Sequence, residues 1–217
     1  MMGKPMFKGV LLDLDGTLID AFAPIIRAMR ETLQHFELPE MSDDAIRRHT
    51  GRGDCSMTAL FGDKKEQAAQ YFIQVHDQTY LNDIQIMQGA ETLMQWLQAK
   101  HIPMAVVTSK GQHRAEAQLE KLGWLPYFTC IIGKLEGRAS KPSPEPLLLA
   151  SEHMHVNIRD VVMVGDGEAD MKAAYRAGCV GLGLTHSFSE EELLSVGASQ
   201  CFTSLGDVVG WMQGEIR

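Results

Sequence analysis

The sequence, 217 residues long, predicts an α/β fold: one parallel sheet covered by helices on both faces. Three observations carry that expectation. Short runs rich in Val, Ile and Leu occur at 7–12, 104–108, 128–132, 161–165 and 180–184, each the length of a buried strand. Between the later ones lie segments of helical periodicity at 90–99, 112–122, 144–154 and 169–177. The interval from Leu18 to about Gly89 breaks the alternation: it contains no convincing strand, only helical stretches at 22–36, 42–49, 56–61 and 65–81. A structureless connection of that length is improbable in a compact domain. The chain therefore reads as a three-layer, Rossmann-like core built from residues 1–18 and 89–217, with an all-α cap domain at 19–88 inserted after the first strand.

Taken in order, the first strand ends on Asp13-Leu14-Asp15-Gly16-Thr17. An apolar run that delivers two carboxylates to the mouth of a sheet needs a metal or a cationic partner, because unpaired buried charge is expensive. A strand followed by an Asp-Gly turn is also common in α/β proteins, so the segment alone leaves both readings open. The helical interval would stand above the carboxyl end of this strand, where ligands bind in open parallel sheets, and it reads as a lid. The second strand closes on Thr108-Ser109-Lys110, and Lys141-Pro142 lies in the loop after the third. Ser143 followed by Pro144 has the form of an N-cap with proline at the first helical position. The fourth strand closes on Gly165-Asp166-Gly167-Glu168-Ala169-Asp170, and Ser189 with Glu192 forms a capping box that opens a later helix. Parallel strands bring the four polar segments to one rim. Each is ordinary by itself; their convergence is not.

Composition narrows the function classes. Hydrophobic residues at 45% and charged residues at 22% are ordinary for a globular chain. A net charge of −8 without a basic run argues against a nucleic-acid or membrane-surface partner, while a small anionic substrate stays possible because local cations and a metal override the global field. Cys55, Cys130, Cys179 and Cys201 are scattered without CxxC spacing, which reads as free thiols in a reducing cytosol. The first apolar stretch is cut short by Asp13, so no signal peptide is expected, and no run approaches the ~18 apolar residues of a spanning helix. The expected location is the cytoplasm. No feature of the pattern specifies an oligomeric state.

The four rim segments together resemble a haloacid-dehalogenase-type phosphohydrolase of the branch with a helical cap after the first strand. Asp13-Leu14-Asp15-Gly16-Thr17 matches the family's first motif, Thr108 the second, Lys141 the third, and Gly165-Asp166 with Asp170 the fourth. The stretch from Phe128 through Lys141-Pro142-Ser143-Pro144-Glu145-Pro146 to Gly178 is similar to phosphoglycolate phosphatases and their pyrophosphatase and phosphoglucomutase relatives. The resemblance implies a phosphatase acting on a small phosphorylated metabolite. Asp13 would be the nucleophile that forms an aspartyl-phosphate. Asp15 would be the general acid and then the general base. Mg2+ would be bound by Asp13, the Asp15 backbone carbonyl and Asp166, with Asp170 holding a metal-bound water. Lys141 would bridge nucleophile and phosphate, Thr108 would donate to a transferring oxygen, and Thr17, counted among the substrate-binding residues, would help fix the turn and position Asp15. Ser109 stands at a substrate-contact position where many relatives carry asparagine.

Asp15 also excludes dehalogenase chemistry, since halide needs no proton. Arg52, between Gly51 and Gly53, is the cap residue expected to grip a carboxylate or second phosphate, whereas Arg47 and Arg48 read as a solvated basic patch. Lys110 and Glu168 lie near the chemistry without an assigned role. A phosphosugar mutase and a pyrophosphatase of the same family are the rivals. The mutase is disfavoured because Asp20-Ala21-Phe22-Ala23-Pro24 stands where the sugar mutases carry a histidine-bearing segment. A non-catalytic binding protein of the same fold is disfavoured by the intact set of acids and Lys141.

Overall fold

A computed structural model describes residues 7–51 and 60–215. The six-stranded sheet contains β1 (Gly9–Leu12), β4 (Met104–Gly111), β5 (Ile131–Lys134), β6 (Val161–Gly165), β7 (Val180–Leu184) and β8 (Gln200–Phe202) in the order β5-β4-β1-β6-β7-β8. Every pairing in it is parallel. β1 is central, with Val10 opposite Met104 on one side and Val162 on the other. Its residues alternate between two apolar layers: Val10 and Leu12 join Val106, Val162 and Val164, while Leu11 joins Ala105, Val107 and Met163. That is why these strands read as unbroken apolar runs: both faces are covered, and each buried Val or Leu is worth roughly 1.5–3 kcal/mol.

Helices α4 (Ala90–Ala99), α5 (Gln112–Lys121), α6 (Glu145–His153), α7 (Glu168–Ala177), α8 (Glu190–Ser195) and α9 (Leu205–Gly214) follow the strands. Ser189 and Glu192 form the expected capping box. α6 starts at Glu145, and Ser143 Oγ accepts from its N–H at 3.3 Å. The third strand lies later than expected, at Ile131–Lys134, because 125–127 winds into a short 3-10 turn. Both β8 and α9 escaped sequence reading. β8 is a three-residue edge strand without an apolar run, and α9 is broken up by three glycines, although Ser204 caps it by accepting from Asp207 N–H.

The segment between β1 and α4 holds α1 (Phe22–His35), α2 (Asp43–Gly51) and α3 (Lys65–Asp77). Phe22, Ile25, Met29, Leu33, Ile46, Phe61 and Ala68 form an apolar cluster of their own. The interval is not free of strand, because β2 (Ile19–Asp20) and β3 (Gln85–Ile86) pair antiparallel where the chain leaves and re-enters. Two residues per strand are too few to register as a period of two. The expected helix at 56–61 falls mostly outside the described residues, and α3 ends at Asp77 rather than running to Leu81.

Two sets of contacts tie this segment to the rest of the chain. On one side a single face of α5 grips the end of α3 and the turn after it: Arg114 pairs with both carboxylate oxygens of Asp77, Gln118 donates to the Tyr80 carbonyl at 2.8 Å, and Lys121 donates to the Leu81 carbonyl at 2.6 Å. On the other, Arg48 pairs with Glu192 of α8, donates to the Ser187 carbonyl at 3.3 Å and stacks over the Phe188 ring at 4.7 Å. Arg48 is therefore not part of a solvated patch. Arg47 likewise lies over the Phe22 ring at 4.5 Å, with Asp20 3.5 Å away. Their stems and guanidinium planes cover apolar surface, a use of arginine that charge alone does not foretell. Among the described residues no helix is long and apolar enough to cross a membrane, and Cys130, Cys179 and Cys201 are free thiols.

Candidate active site

Strand order brings the carboxyl ends of β5, β4, β1, β6 and β7 to adjacent places on one rim. Asp13 and Asp15 follow β1, Lys141 lies beyond β5, Asp166 follows β6, and Asp170 sits in the first turn of α7. Thr108 does not close its strand as expected: β4 runs on to Gly111, with an irregular register between Val107 and Gly111. Such irregularity re-aims side chains, and Thr108, Ser109 and Lys110 all reach the site from it. One cavity of about 360 Å³ is lined by Asp13, Asp15, Thr108, Ser109, Lys110, Lys141, Asp166 and Asp170 below and by residues of α1 and α3 above.

Lys141 is the centre of this arrangement. The residue is 3% exposed, and its ammonium donates to Asp13 Oδ1 at 2.7 Å, Asp170 Oδ1 at 2.5 Å and the Val107 carbonyl at 2.7 Å, which uses all three of its protons. Burial alone would lower the Lys141 ammonium, but Asp13 and Asp170 outweigh it and hold it above the ordinary lysine value. Asp166 and Asp170 fare differently, because the protons of the ammonium go to Asp13, Asp170 and a carbonyl and none is left for Asp166. Burial, the Asp13 charge and the Asp170 charge push Asp166 well above the usual carboxylate range. Burial also raises Asp170, against the pull of Lys141. The cluster thus carries more negative charge than its organic cation neutralises.

Asp13, Asp166 and Asp170 are buried, and each offers an oxygen within 4.8 Å of the others. An all-oxygen donor set of this kind fits a hard divalent cation, which would remove the surplus negative charge. Two glycines leave room for these carboxylates. A Cβ on Gly16, whose φ is +85°, would lie 2.4 Å from Asp166 Oδ2, and one on Gly165 would lie 2.4 Å from Asp170 Oδ2. Neither glycine tolerates a side chain without displacing an acid.

Asp15 accepts from Lys110 Nζ at 2.7 Å, and both side chains are nearly buried. Lys110 is held in turn by Gln118 Oε1 at 2.6 Å. Burial raises the Asp15 carboxyl, Lys110 opposes it, and the Asp13 charge adds to the rise. Thr108 Oγ1 accepts the Lys110 backbone N–H at 3.2 Å, leaving its own proton to donate elsewhere. Thr17 is fully buried and absent from the cavity wall. Its hydroxyl lies 3.5 Å from Asp166 Oδ1. Ser187, from the loop after β7, donates to the other oxygen of Asp166 at 2.8 Å. Sequence reading did not find Ser187, although the rule that drew attention to four strand ends applies equally to a fifth. Arg52 lies outside the described residues.

His76 of α3 lines the same cavity, 5% exposed and stacked on Phe72 at 5.7 Å between centroids. Burial, reinforced by the charges of Lys110 and Arg114 and opposed by Asp77, lowers its imidazole to about 4 from an ordinary 6.5. The folded value lies below the unfolded one, so this stabilisation is complete above pH 6.5 and is lost as pH falls toward 4. At about 1.4 kcal/mol per pH unit the loss is on the order of 3 kcal/mol. Denaturant unfolding of wild type should therefore weaken more steeply between pH 6.5 and 4 than that of His76→Phe. Parallel slopes would contradict it.

The haloacid dehalogenase-like hydrolase family model matches residues 10–183, which takes in β1 through β7 and the four acids Asp13, Asp15, Asp166 and Asp170 that line the cavity. The chain belongs to this family. Within the haloacid dehalogenase-like hydrolases it is similar to a phosphoglycolate phosphatase of Chromobacterium violaceum, 26% identical over 222 residues that cover 98% of this chain and 99% of that protein. It is also similar to a phosphoglycolate phosphatase of Escherichia coli, 30% identical over 220 residues covering 87% of this chain and 85% of the relative. Among solved structures, a protein of Haemophilus somnus described as a predicted phosphoglycolate phosphatase superimposes with a TM-score of 0.84 at 22% identity, covering 97% of this chain and all of that one (100%). At that identity the likeness speaks for the fold.

Proposed function

We propose that this hydrolase is a magnesium-dependent phosphatase that cleaves a small phosphomonoester through an aspartyl-phosphate on Asp13. The observation that carries the reading is the convergence on one cavity of Asp13, the ion-paired second carboxylate Asp15 and the oxygen-only cluster Asp13, Asp166 and Asp170. The relatives named above support phosphomonoester chemistry in the family, but their identity of 26–30% leaves the alcohol to be read from the cavity itself.

In this mechanism Asp13 attacks phosphorus in line with the ester oxygen. A bond from its carboxylate oxygen to phosphorus forms as the bond to the alcohol breaks. Asp15 gives its proton to the departing alkoxide, a task suited to a carboxyl raised by burial, and Lys110 holds it in place. Water then attacks the phosphoryl group, Asp15 takes its proton, and Asp13 is regenerated. Lys141 keeps Asp13 oriented and offsets the repulsion between carboxylate and phosphate, while the Thr108 hydroxyl donates to a phosphoryl oxygen. Asp13, the Asp15 backbone carbonyl and Asp166 would hold a magnesium ion, with Asp170 close by, and the ion would supply the remaining positive charge.

Residues 19–88 serve in this reading as a helical cap over a core of 1–18 and 89–217, supported by their separate apolar cluster and by their two lines of attachment, at α5 and at α8. The test is phosphate release from a panel of phosphomonoesters by the purified protein. Chelation is expected to abolish turnover and magnesium to restore it. The same ion should raise the unfolding free energy by about 2.7 kcal/mol at a hundred times its dissociation constant. Turnover that persists in excess chelator would rule out the metal-dependent mechanism.

A further inference from the structure

The roof of the cavity is apolar. Phe22 and Ile25 of α1, Phe61, and Phe72 of α3 face the acids across it. At its mouth Ile73 of α3 and Leu135, which follows β5, are 44% and 45% exposed and line the cavity from opposite sides. Large apolar side chains left in water around a concavity mark a binding surface. The volume, about 360 Å³, is in the range that encloses a drug-sized ligand, roughly 300–1,000 Å³, and far exceeds what a two-carbon acid fills. Of the described cations that line the wall, Lys110 is paired with Asp15, Lys141 with Asp13 and Asp170, and Arg114 with Asp77, and Lys134 lines it as well. A second anionic group drawn to any of the first three would have to compete with its carboxylate. His76 adds a different signal: its Nε2 is buried and has no hydrogen-bond partner, although the residue lines the cavity. A buried polar atom of this kind costs about 1–3 kcal/mol until something satisfies it.

We propose that the substrate of this site is a phosphate monoester of a bulky, mainly apolar alcohol carrying one uncharged polar group, rather than of a small hydroxy acid. The phosphate sits on Asp13 and beside Lys141, the apolar body fills the space under Phe22, Phe61 and Phe72, and the polar group meets His76 Nε2. This rests on the phosphatase reading above and names the substrate class of the same site.

The test compares kcat/KM for 2-phenylethyl phosphate and phosphoglycolate with magnesium present. Both are esters of alkyl alcohols, so both need a proton from Asp15 and differ chiefly in the body to be bound. Apolar contacts in a pocket discriminate by roughly 10–200-fold. The phenylethyl ester is expected to be preferred by about tenfold or more. The double variant Ile73→Ser, Leu135→Ser, at positions exposed enough not to disturb folding, should lower that preference by about tenfold, chiefly through KM of the phenylethyl ester. Equal or better hydrolysis of phosphoglycolate, or a preference that the double variant leaves unmoved, overturns the inference while the phosphatase reading stands. Absence of phosphate release from either ester removes that reading, and the inference with it.

Discussion

Asp13→Asn is expected to lower kcat on any phosphomonoester by on the order of 10⁴-fold or more, because the amide oxygen cannot form the covalent intermediate that divides the reaction into two steps. The fold should survive. Asn keeps an oxygen to accept from Lys141, whose bond to Asp13 Oδ1 is 2.7 Å, and the change removes one of the buried like charges that raise Asp166. Metal-free stability should therefore stay level or rise while activity disappears, a separation that rules out simple unfolding as the cause. Acid quench of turnover with radiolabelled substrate should leave label on the wild-type protein and none on the variant. Turnover within tenfold of wild type would exclude Asp13 as nucleophile.

Lys141→Met should have the largest effect on stability. The side chain is 3% exposed, and its ammonium is the organic cation shared by Asp13 and Asp170. Removing one partner from a buried charge network typically costs 3–5 kcal/mol, since the remaining charges lose compensation. For a chain of this size that lowers the thermal midpoint by on the order of 10 °C. Magnesium should recover a larger part of the stability in the variant than it adds to wild type, because the ion then supplies the only strong positive charge among these acids. Lys141→Arg should not rescue activity, because a planar guanidinium cannot reproduce three converging bonds to Asp13, Asp170 and the Val107 carbonyl. A thermal midpoint for Lys141→Met equal to that of wild type would show that Lys141 is not needed to balance the cluster.

The parts legible from sequence are those whose signals are local. β1, β6 and β7 show as apolar runs because both their faces are covered, and the acids after β1 and β6 are adjacent in the chain to strands that could be read. The capping box at Ser189 was legible for the same reason, being closed within four residues. Lys110 was visible beside Thr108, but its pairing with Asp15 spans 95 positions, and nothing near either residue announces it. Arg48 and Glu192 are 144 positions apart, so two charges that read as surface residues turn out to join α2 to α8. The ribbon of β2 and β3 was missed because two residues carry no periodicity, and the pairing depends on the chain's two crossings meeting in space.

Sequence by itself showed the family, through four ordered motifs that resemble it, and the parallel core, through apolar runs that alternate with helices; it also placed Asp13, Asp15, Asp166 and Asp170 after apolar strands, where buried acids need positive charge. What only the tertiary structure decided is how that charge is distributed. Lys141 is divided between Asp13 and Asp170, Lys110 is given to Asp15, and Asp166 is left with hydroxyls from Thr17 and Ser187. The apolar roof and the unpartnered His76 nitrogen also belong to the fold alone. In sequence Phe22, Phe61, Phe72 and His76 fall within the expected helical stretches and carry no further signal. Whether a side chain in an amphipathic helix faces its own core or a substrate depends on how that helix is set against the rim, and that setting is made by contacts between residues far apart in the chain.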